Sequence, residues 1–250
     1  MQIKLDDKTA WVTGGSRGIG RATCIALAAA GAKVAVGFRS GEAEANAVVE
    51  EIRKAGGEAT AVGVDVADVE SVTKAYEKVV ADIGKINVLV NNAGCVRDNL
   101  FLMLEESDWA DVLQTNLMGA VHVTKAVVRD MMMQRFGRII NVSSVAATKG
   151  GRGQSNYAAT KGAVEAMSRS LAVELAKRNI TVNCIAPGVI ETAMSAEVRK
   201  LAENEILDRQ LVKRFGQPEE IAAFIVLMAS DHSGFMTGQV VHVDGGLKMP

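Results

Sequence analysis

The chain alternates between short apolar runs rich in β-branched residues and longer segments in which apolar residues recur three and four positions apart. The short runs predict buried strands, and the longer segments predict amphipathic helices. The predicted strands are Thr9–Thr13, Lys33–Phe38, Ala59–Val64, Ile86–Asn91, Gly137–Ser143, Thr181–Ile185 and Val240–Val243. The clearest helical segments are Glu42–Ala55, Val69–Ile83, Trp109–Gln134 and Tyr157–Arg178.

Strands that are apolar throughout and separated by helices indicate a parallel sheet that is covered on both faces. The pattern therefore predicts an α/β protein with a three-layer, doubly wound Rossmann fold and a seven-stranded parallel sheet. No linker-like segment or internal repeat interrupts it, so residues 1–250 are expected to form a single domain. Ligands of such a sheet bind at the carboxyl ends of the strands, where candidate site residues are to be sought.

Composition excludes several classes of protein. Hydrophobic residues make up 48% of the 250 residues, which is enough for a sizeable core and argues against disorder. With 28 basic and 29 acidic residues, no positive field attracts nucleic acid. The longest apolar run, Ile221–Ala229, is too short to span a membrane. Three scattered cysteines are typical of buried thiols in a reducing, cytoplasmic setting, namely Cys24, Cys95 and Cys184.

A glycine-rich turn follows the first predicted strand and opens a helix. Gly14 would let the chain turn sharply, and Gly18 and Gly20 would allow close approach of a pyrophosphate, which the free N–H groups of the helix start attract. The spacing is G-x3-G-x-G instead of the commoner G-x-G-x-x-G, so a turn that serves only local packing stays open. The turn predicts a dinucleotide phosphate site formed by Gly14, Ser16, Arg17, Gly18, Ile19 and Gly20.

The end of the second predicted strand favours one dinucleotide over another. An NAD site usually has a carboxylate there to bind the ribose 2′-OH, whereas this strand ends in Phe38, Arg39 and Ser40. Arg39 and Arg17 could pair with a 2′-phosphate through charge-assisted hydrogen bonds, which favours NADP(H) over NAD(H). The alternative is that both arginines are merely solvated.

Tyr157 and Lys161 lie four residues apart at the start of a predicted helix, and so on one helical face. A neighbouring ammonium group favours phenolate and is expected to lower the pKa of the tyrosine. Such a tyrosine could exchange a proton with an oxygen atom near neutral pH. Ser143 and Ser144, at the end of the fifth strand, supply hydroxyls for the same oxygen. By itself, however, a tyrosine–lysine pair at this spacing is usually a solvated pair.

Taken together, these motifs match a known family in order and spacing. From Lys8 to Gly246 the chain resembles the short-chain dehydrogenase/reductase family through Thr13–Gly20, Asn91-Asn92-Ala93-Gly94, Asn116, Ser144, Tyr157-x3-Lys161 and Pro187-Gly188-x-Ile190-x-Thr192. The resemblance implies an oxidoreductase in which Tyr157 is the general acid/base and Lys161 binds the nicotinamide ribose. It also implies that Ser144 orients the substrate carbonyl and that Asn116 keeps a water for a proton relay. Ser143 is the rival of Ser144, but the interval of thirteen residues to Tyr157 favours Ser144.

The resemblance assigns the rest of the cofactor site as well. Asp65 and Val66 would bracket the adenine, and the adenosine-ribose side would be lined by Asn92, Ala93 and Gly94. The nicotinamide side would be formed by Pro187, Gly188, Ile190 and Thr192. No metal is expected, because the three histidines lie far apart and no paired Cys/His spacing is present.

Several stretches resemble one subfamily more closely, the β-ketoacyl carrier-protein reductases of fatty-acid synthesis. They are 92–100, 154–157, 180–183 and 187–192. This resemblance implies NADPH-dependent reduction of a 3-oxoacyl thioester, with Gln154 lining the acyl pocket beside Ser144 and Tyr157. Arg135 and Arg178 would face an acidic acyl carrier protein, although both could equally be solvated, and Arg178 also complements a helix C-terminus.

Two departures and two alternatives accompany this interpretation. Gly15 stands where the subfamily often has Ala, which is expected to be harmless, and Cys95 replaces an aliphatic residue. The alternatives are an acetoacetyl-CoA reductase or another short-chain ketone/alcohol oxidoreductase and, more remotely, a non-catalytic dinucleotide-binding scaffold. Family resemblance further implies a homotetramer and a mobile substrate lid at about 194–215. Acyl chain length and pathway are not encoded in any recognisable motif.

Overall fold

Seven parallel strands form one sheet in the computed structural model of the protein, which describes residues 3–248. The strands follow the spatial order β3-β2-β1-β4-β5-β6-β7. Their bounds are β1 (Thr9–Val12), β2 (Lys33–Phe38), β3 (Ala59–Gly63), β4 (Val88–Asn91), β5 (Gly137–Val142), β6 (Ile180–Pro187) and β7 (Val240–Val243). The predicted seven-stranded parallel sheet is confirmed.

Nine α-helices of the described residues connect and cover the strands. They are α1 (Gly18–Ala29), α2 (Glu42–Lys54), α3 (Val69–Ile83), α4 (Glu106–Val112), α5 (Gly119–Gln134), α6 (Ala146–Lys149), α7 (Ser155–Leu175), α8 (Ala196–Arg209) and α9 (Pro218–Ala229). Helices α1, α2 and α9 pack on one face of the sheet, and α3, α5 and α7 pack on the other. The result is the expected three-layer Rossmann architecture.

Each face of the sheet has its own apolar core because successive strand residues point to opposite sides. In β1, Val12 packs toward α1 and α9, whereas the neighbouring Trp11 packs toward α3 and α5, and both are fully buried. This double burial explains why apolar residues stand at successive positions of the strands and not only at alternate ones.

The order of the strands reverses between β1 and β4. β2 and β3 lie on one side of β1, whereas β4 and the later strands lie on the other. The loops that leave β1 and β4 therefore separate to opposite faces and open a crevice between them, the usual ligand position of such a sheet. The glycine-rich turn follows β1, and the Asn92–Gly94 segment follows β4.

The predicted continuous helix Trp109–Gln134 is wrong in one respect. The chain forms α4, then a π-helical segment over Leu113–Met118, and only then α5. A π-helical turn holds more residues than an α-helical one and is frequently found at functional sites. Asn116 lies inside this segment, and its side chain is buried.

The single domain predicted over residues 1–250 includes Met1, Gln2, Met249 and Pro250, which lie outside the described residues. Within residues 3–248, no helix combines the length and the apolar character needed to cross a membrane.

Candidate active site

The glycine-rich turn forms a cradle with no room for side chains. Gly14 and Gly18 have positive φ angles of 65° and 54°. A Cβ atom at Gly20 would lie 2.1 Å from the carbonyl oxygen of Gly14. Helix α1 begins at Gly18 with Arg17 as its N-cap, and no side chain caps the first N–H groups. These open donors at a helix start fit a dinucleotide pyrophosphate.

Thr13 and Asn92 hold this cradle in place across the crevice. The Thr13 hydroxyl accepts hydrogen bonds from the backbone N–H groups of Asn92 and Ala93, each at 3.0 Å. The Asn92 side-chain amide donates to the carbonyls of Thr13 and Gly14, at 2.9 and 3.0 Å. Sequence analysis missed the bracing role of Thr13, because only the fold reveals that the loops after β1 and β4 touch.

The structure gives a packing reason for glycine at position 15, where the resembled subfamily often has alanine. A Cβ atom there would lie 2.9 Å from Cys24 Sγ and 3.0 Å from Val36 Cγ1. Both neighbours are fully buried, so neither can move aside into solvent. The sulfur of Cys24 occupies the space that an alanine methyl group would need, and the two positions are coupled.

Arg17 and Arg39 lie exposed at the carboxyl ends of the neighbouring strands β1 and β2. A backbone hydrogen bond of 2.7 Å from Gly15 to Gly37 joins the two strand ends, and Ser16 is buried beside them. Neither arginine forms an ion pair within the described part of the chain. Both guanidinium groups are therefore available for an external anion.

Asp65 and Val66 follow β3 on the same edge of the sheet. One carboxylate oxygen of Asp65 accepts from the Ala67 N–H at 3.0 Å, which fixes the local turn. The Asp65 side chain is only half-buried, so its other oxygen can accept from a ligand. Val66 is buried, and its side chain packs so closely on α5 that a Cβ atom at Gly119 would lie 2.6 Å from it.

The structure brings Tyr157 and Lys161 together on one face of the first turns of α7. The ammonium nitrogen of Lys161 lies 5.5 Å from the centre of the Tyr157 ring. Lys161 is 5% exposed, and it donates a 2.8 Å hydrogen bond to the carbonyl of Val142 at the end of β5. The helix thus presents both side chains to the crevice, as the spacing of four predicts.

The protonation of this pair differs from the sequence-based expectation. Burial raises the pKa of Tyr157 to about 12, the Asp98 carboxylate adds to this rise, and the Ser144 hydroxyl opposes it. Burial lowers the pKa of Lys161 to about 8. The expected net lowering of the tyrosine pKa is absent because the ammonium lies over the ring and is committed to Val142, while burial acts directly on the phenol oxygen.

The two serines after β5 face opposite ways. The Ser143 hydroxyl is buried and donates a 2.7 Å hydrogen bond to Glu165 Oε1 on α7. The Ser144 hydroxyl accepts from the Ala146 N–H at 3.1 Å and lies beside the Tyr157 hydroxyl. Successive residues of extended chain point to opposite sides, so only one of the two can face the crevice. The geometry favours Ser144, as the spacing does.

Asn116 is fixed by contacts with the protein itself. Its side-chain oxygen accepts from the Cys95 N–H at 2.8 Å, and its amide donates to the Cys95 carbonyl at 3.0 Å and to the Thr160 hydroxyl at 3.3 Å. A Cβ atom at Gly94 would lie 3.1 Å from Asn116 Oδ1, so this approach favours glycine there. Because these contacts occupy the Asn116 side chain, the water expected there would have to bind the backbone of that residue.

The segment after β6 closes the crevice from the far side. A Cβ atom at Gly188 would lie 2.7 Å from Asp244 Cα, and Ile190 is buried. Thr192 lies against the glycine turn, because a Cβ atom at Gly18 would be 3.2 Å from Thr192 Cγ2. The fold therefore brings the Pro187–Thr192 segment next to the cradle, although about 170 residues separate them in sequence.

Gln154 lies at the mouth of the site. Its amide donates to Asp98 Oδ2 at 3.1 Å, and the Asn99 N–H donates to the Gly153 carbonyl at 3.0 Å. These bonds attach the loop after β4 to the segment that leads into Tyr157. Cys95, in the same loop, is half-exposed and not buried as the cysteine pattern suggested, whereas Cys24 and Cys184 are buried.

Arg135 and Arg178 lie away from this site. Both are exposed and precede β5 and β6, at the amino-end edge of the sheet. Ser144 follows β5 at the opposite edge, so the length of that strand, roughly 20 Å, separates them. No cluster of three or more His, Cys, Asp or Glu within residues 3–248 is arranged to hold a metal ion.

The glycine-rich cradle lies where the strand order reverses, and it is followed along the strand ends by the Ser144 and Tyr157 hydroxyls and the buried Lys161. This is the arrangement of a Rossmann-type oxidoreductase. Comparison with known proteins supplies the family. Residues 14–248 match the family model described as "Enoyl-(Acyl carrier protein) reductase". The chain belongs to this family of short-chain dehydrogenases/reductases.

Similar proteins cover the whole chain. A 3-oxoacyl-(acyl-carrier-protein) reductase of Aquifex aeolicus is 44% identical over 248 residues, which covers 99% of this chain and 100% of that protein. The Thermotoga maritima protein of the same name is 44% identical over 245 residues, with 98% and 99% coverage. Among solved structures, a Burkholderia cenocepacia gluconate 5-dehydrogenase in complex with NADP and tartrate is 34% identical, with a TM-score of 0.94 and 98% and 97% coverage.

Proposed function

We propose that the protein reduces the 3-oxo group of an acyl thioester held by an acyl carrier protein, with NADPH as the reductant, in fatty-acid synthesis. The observation that carries this proposal is the convergence of the Ser144 and Tyr157 hydroxyls beside the buried Lys161 ammonium. Two hydroxyl donors suit one carbonyl oxygen that becomes an alkoxide. Full-length similarity to proteins named 3-oxoacyl-(acyl-carrier-protein) reductase supports the substrate class.

The residues of the site supply the proton side of the reaction. When bound, NADPH supplies the hydride. Ser144 and Tyr157 donate hydrogen bonds to the carbonyl oxygen and hold it, and Tyr157 then gives up its proton to it. A pKa of about 12 keeps Tyr157 protonated at neutral pH, as an acid must be before it donates. The Lys161 ammonium, one helical turn away, stabilises the phenolate that remains.

NADP(H) is the proposed cofactor because two exposed guanidinium groups at the carboxyl ends of β1 and β2 could pair with a 2′-phosphate. Arg17 and Arg39 are exposed at adjacent strand ends, and the sequence at the end of β2 places no carboxylate there. The solved gluconate 5-dehydrogenase is described as a complex with NADP, which is consistent with this choice. The cradle of Gly14, Ser16, Gly18, Ile19 and Gly20 would hold the pyrophosphate.

The remaining cofactor and substrate contacts are proposed in the order in which the strands lie across the sheet. We propose that Asp65 and Val66 bracket the adenine and that Asn92, Ala93 and Gly94 line the adenosine ribose. Pro187, Gly188, Ile190 and Thr192 would hold the nicotinamide. Asn116 would keep the relay water, and Gln154 would line the acyl pocket. The strands are parallel, so their carboxyl ends lie at one edge of the sheet, where ligands of this fold bind. This arrangement supports the proposed order of contacts.

We also propose a partner, an oligomeric state, a cellular location and a substrate lid for this protein. Similarity to proteins named 3-oxoacyl-(acyl-carrier-protein) reductase supports an acyl carrier protein as partner. A homotetramer and a cytoplasmic location are proposed alongside it. The large exposed side chains of Val173 on α7 and Phe235 before β7 are where the subunit interfaces of such a tetramer would form. The lid would be the segment around α8, whose helical backbone is interrupted at Ala202.

A second candidate function is reduction of a coenzyme A thioester or oxidation and reduction of a small alcohol or ketone. The similarity to gluconate dehydrogenases favours it, since those proteins are 31–34% identical and share the fold over 98% of this chain. The chemistry at Ser144 and Tyr157 would be unchanged, because only the group that carries the carbonyl differs.

The deciding experiment compares NADPH with NADH across carrier-bound 3-oxoacyl thioesters, coenzyme A thioesters and simple ketones. We expect the highest kcat/KM with NADPH and a carrier-bound substrate. Replacement of Tyr157 by phenylalanine should lower kcat by about 10²- to 10⁴-fold, the range for a general acid, with NADPH affinity retained. Near-normal turnover of Tyr157→Phe would contradict the mechanism, and a preference for a small ketone would select the second candidate.

A further inference from the structure

Glu165 is a buried carboxylate that the proposed mechanism does not use. It lies on α7, one helical turn after Lys161, and is 5% exposed. Within residues 3–248 it forms no ion pair with any lysine or arginine. A buried carboxylate is costly unless it is hydrogen-bonded. Its hydrogen bond comes from the Ser143 hydroxyl at 2.7 Å, a length typical of a charge-assisted bond.

Ser143 is held from two sides of the structure. Its backbone N–H donates to the Ile185 carbonyl on β6 at 2.7 Å, and its hydroxyl donates to Glu165 on α7. The same hydroxyl lies 3.5 Å from the carbonyl oxygen of Lys161. The residue is 3% exposed and cannot exchange these partners for water. Its position, and with it the path of the chain into Ser144, is therefore fixed relative to both the sheet and the helix.

Two successive turns of α7 are attached to two successive residues at the end of β5. The Lys161 ammonium donates to the Val142 carbonyl at 2.8 Å, and Glu165 accepts from Ser143. The following turn of α7 is attached to β5 as well, since the Asn141 amide donates to the Ser168 hydroxyl at 2.7 Å. Of these attachments, the one through Glu165 holds Ser143, the residue that leads directly into Ser144. Tyr157 lies one turn before the first attachment, and Ser144 lies one residue after the second.

We propose that Glu165 is a positioning residue, which through Ser143 sets the distance between the Ser144 and Tyr157 hydroxyls at the substrate carbonyl. It touches neither substrate nor cofactor. The proposal rests on the proposed function only in that both hydroxyls serve one carbonyl oxygen. An error of about 1 Å in the position of either hydroxyl can reduce the reaction rate by about 10²-fold. A contact that fixes the Ser144 hydroxyl relative to the Tyr157 hydroxyl would therefore contribute to kcat.

The test uses the full-length protein and whichever carbonyl substrate the wild type reduces best with NADPH. Glu165→Leu and Ser143→Ala each remove the hydrogen bond, from the helix side and from the strand side. We expect both to lower kcat by about 10- to 100-fold, while KM for NADPH stays within about twofold. Glu165→Gln keeps an oxygen acceptor and should restore kcat to within about threefold of the wild type.

Two further variants separate positioning from general stability. Glu174→Leu changes an exposed glutamate on the same helix and should leave kcat unchanged. The double variant Ser143→Ala with Glu165→Leu should lose no more than Glu165→Leu alone, because one shared contact is removed only once. Wild-type kcat in Ser143→Ala, or equal losses in Glu165→Gln and Glu165→Leu, would overturn the proposal. Since any reducible ketone serves, failure of carrier-bound substrates would count against the proposed function alone.

Discussion

Lys161 holds an ammonium group in the interior, where only 5% of the residue is exposed. Within residues 3–248, its one hydrogen bond, to the Val142 carbonyl, replaces only part of the hydration that an ammonium has in water. The lowered pKa of about 8 measures this loss against an ordinary value of 10.5. The residue needed for chemistry is therefore expected to reduce the stability of the fold.

The effect of Lys161 on stability should depend on pH. Between about pH 8 and 10.5 the unfolded chain holds the lysine proton and the folded chain has released it, so stability rises with pH in this window. Relative to Lys161→Met, the unfolding free energy of the wild type should increase by about 3 kcal/mol from pH 7 to pH 10.5, at about 1.4 kcal/mol per pKa unit. Urea unfolding of both proteins at fixed concentration measures this, and a difference that does not change with pH would contradict it.

At the scale of single residues, the spacing of four predicted that Tyr157 and Lys161 share one helical face. The choice of Ser144 over Ser143 came from the interval of thirteen residues to Tyr157 in the resembled family. The pKa of Tyr157 could not be obtained in this way. It depends on burial and on Asp98, and both are set by a loop that leaves another strand.

The glycine turn and α1 act as one element that is packed without free space. Gly20 approaches the Gly14 carbonyl, and Gly15 lies against Cys24 Sγ. A motif specifies that glycines are needed for the turn, but it does not reveal that a cysteine ten residues from Gly14 fills the space beside Gly15. That contact exists only once α1 has packed on the strand that precedes it.

Gly15 and Cys24 should therefore show coupled effects on stability. Gly15→Ala is expected to lower the free energy of unfolding by about 1–3 kcal/mol, the usual cost of overpacking a core. Adding Cys24→Ala removes the sulfur that the new methyl group meets, so the double variant should be more stable than the sum of the two single changes predicts. Thermal or urea unfolding of the four proteins measures the coupling. Strict additivity would show that the two sites do not compete for space.

The π-helical segment between α4 and α5 is an element that the sequence did not predict. Apolar periodicity continues through it, so the pattern alone favours one helix. The local deviation is stabilised by the hydrogen bonds of Asn116 to the Cys95 backbone, which lies 21 residues away in sequence. A local pattern contains no signal for a contact of this kind.

In the whole molecule, the proposed active site and the proposed carrier-binding arginines lie at opposite edges of the sheet. The proposed active site lies at the carboxyl ends of the strands, and the exposed Arg135 and Arg178 lie at the amino ends. A carrier protein bound at these arginines would therefore lie on the far side of the sheet from Ser144 of the same chain. A carrier bound there would have to deliver its acyl group to the active site of a neighbouring chain. The proposed tetramer would provide such a neighbour.

Charge reversal tests this arrangement directly. Arg135→Glu combined with Arg178→Glu should raise KM for a carrier-bound substrate by about tenfold. Added salt should no longer raise this KM, because the charges that attract an acidic carrier are gone. KM for the matching coenzyme A thioester should stay unchanged. Lys54→Glu combined with Lys74→Glu, at two exposed lysines on α2 and α3, provides a control with the same change in net charge. Equal KM values for the carrier-bound substrate in the variant and the wild type would show that the carrier binds elsewhere.

The sequence by itself determined the seven-stranded parallel sheet, the glycine turn, and the shared helical face of Tyr157 and Lys161. These follow from local rules of periodicity, turn geometry and helix spacing, which act over a few residues. Only the tertiary structure decided the protonation of Tyr157 and Lys161, the crowding of Gly15 by Cys24, and the attachment of α7 to β5 through Glu165. Each of these depends on burial or contact between segments that are distant in sequence, because desolvation and packing arise only when the elements assemble.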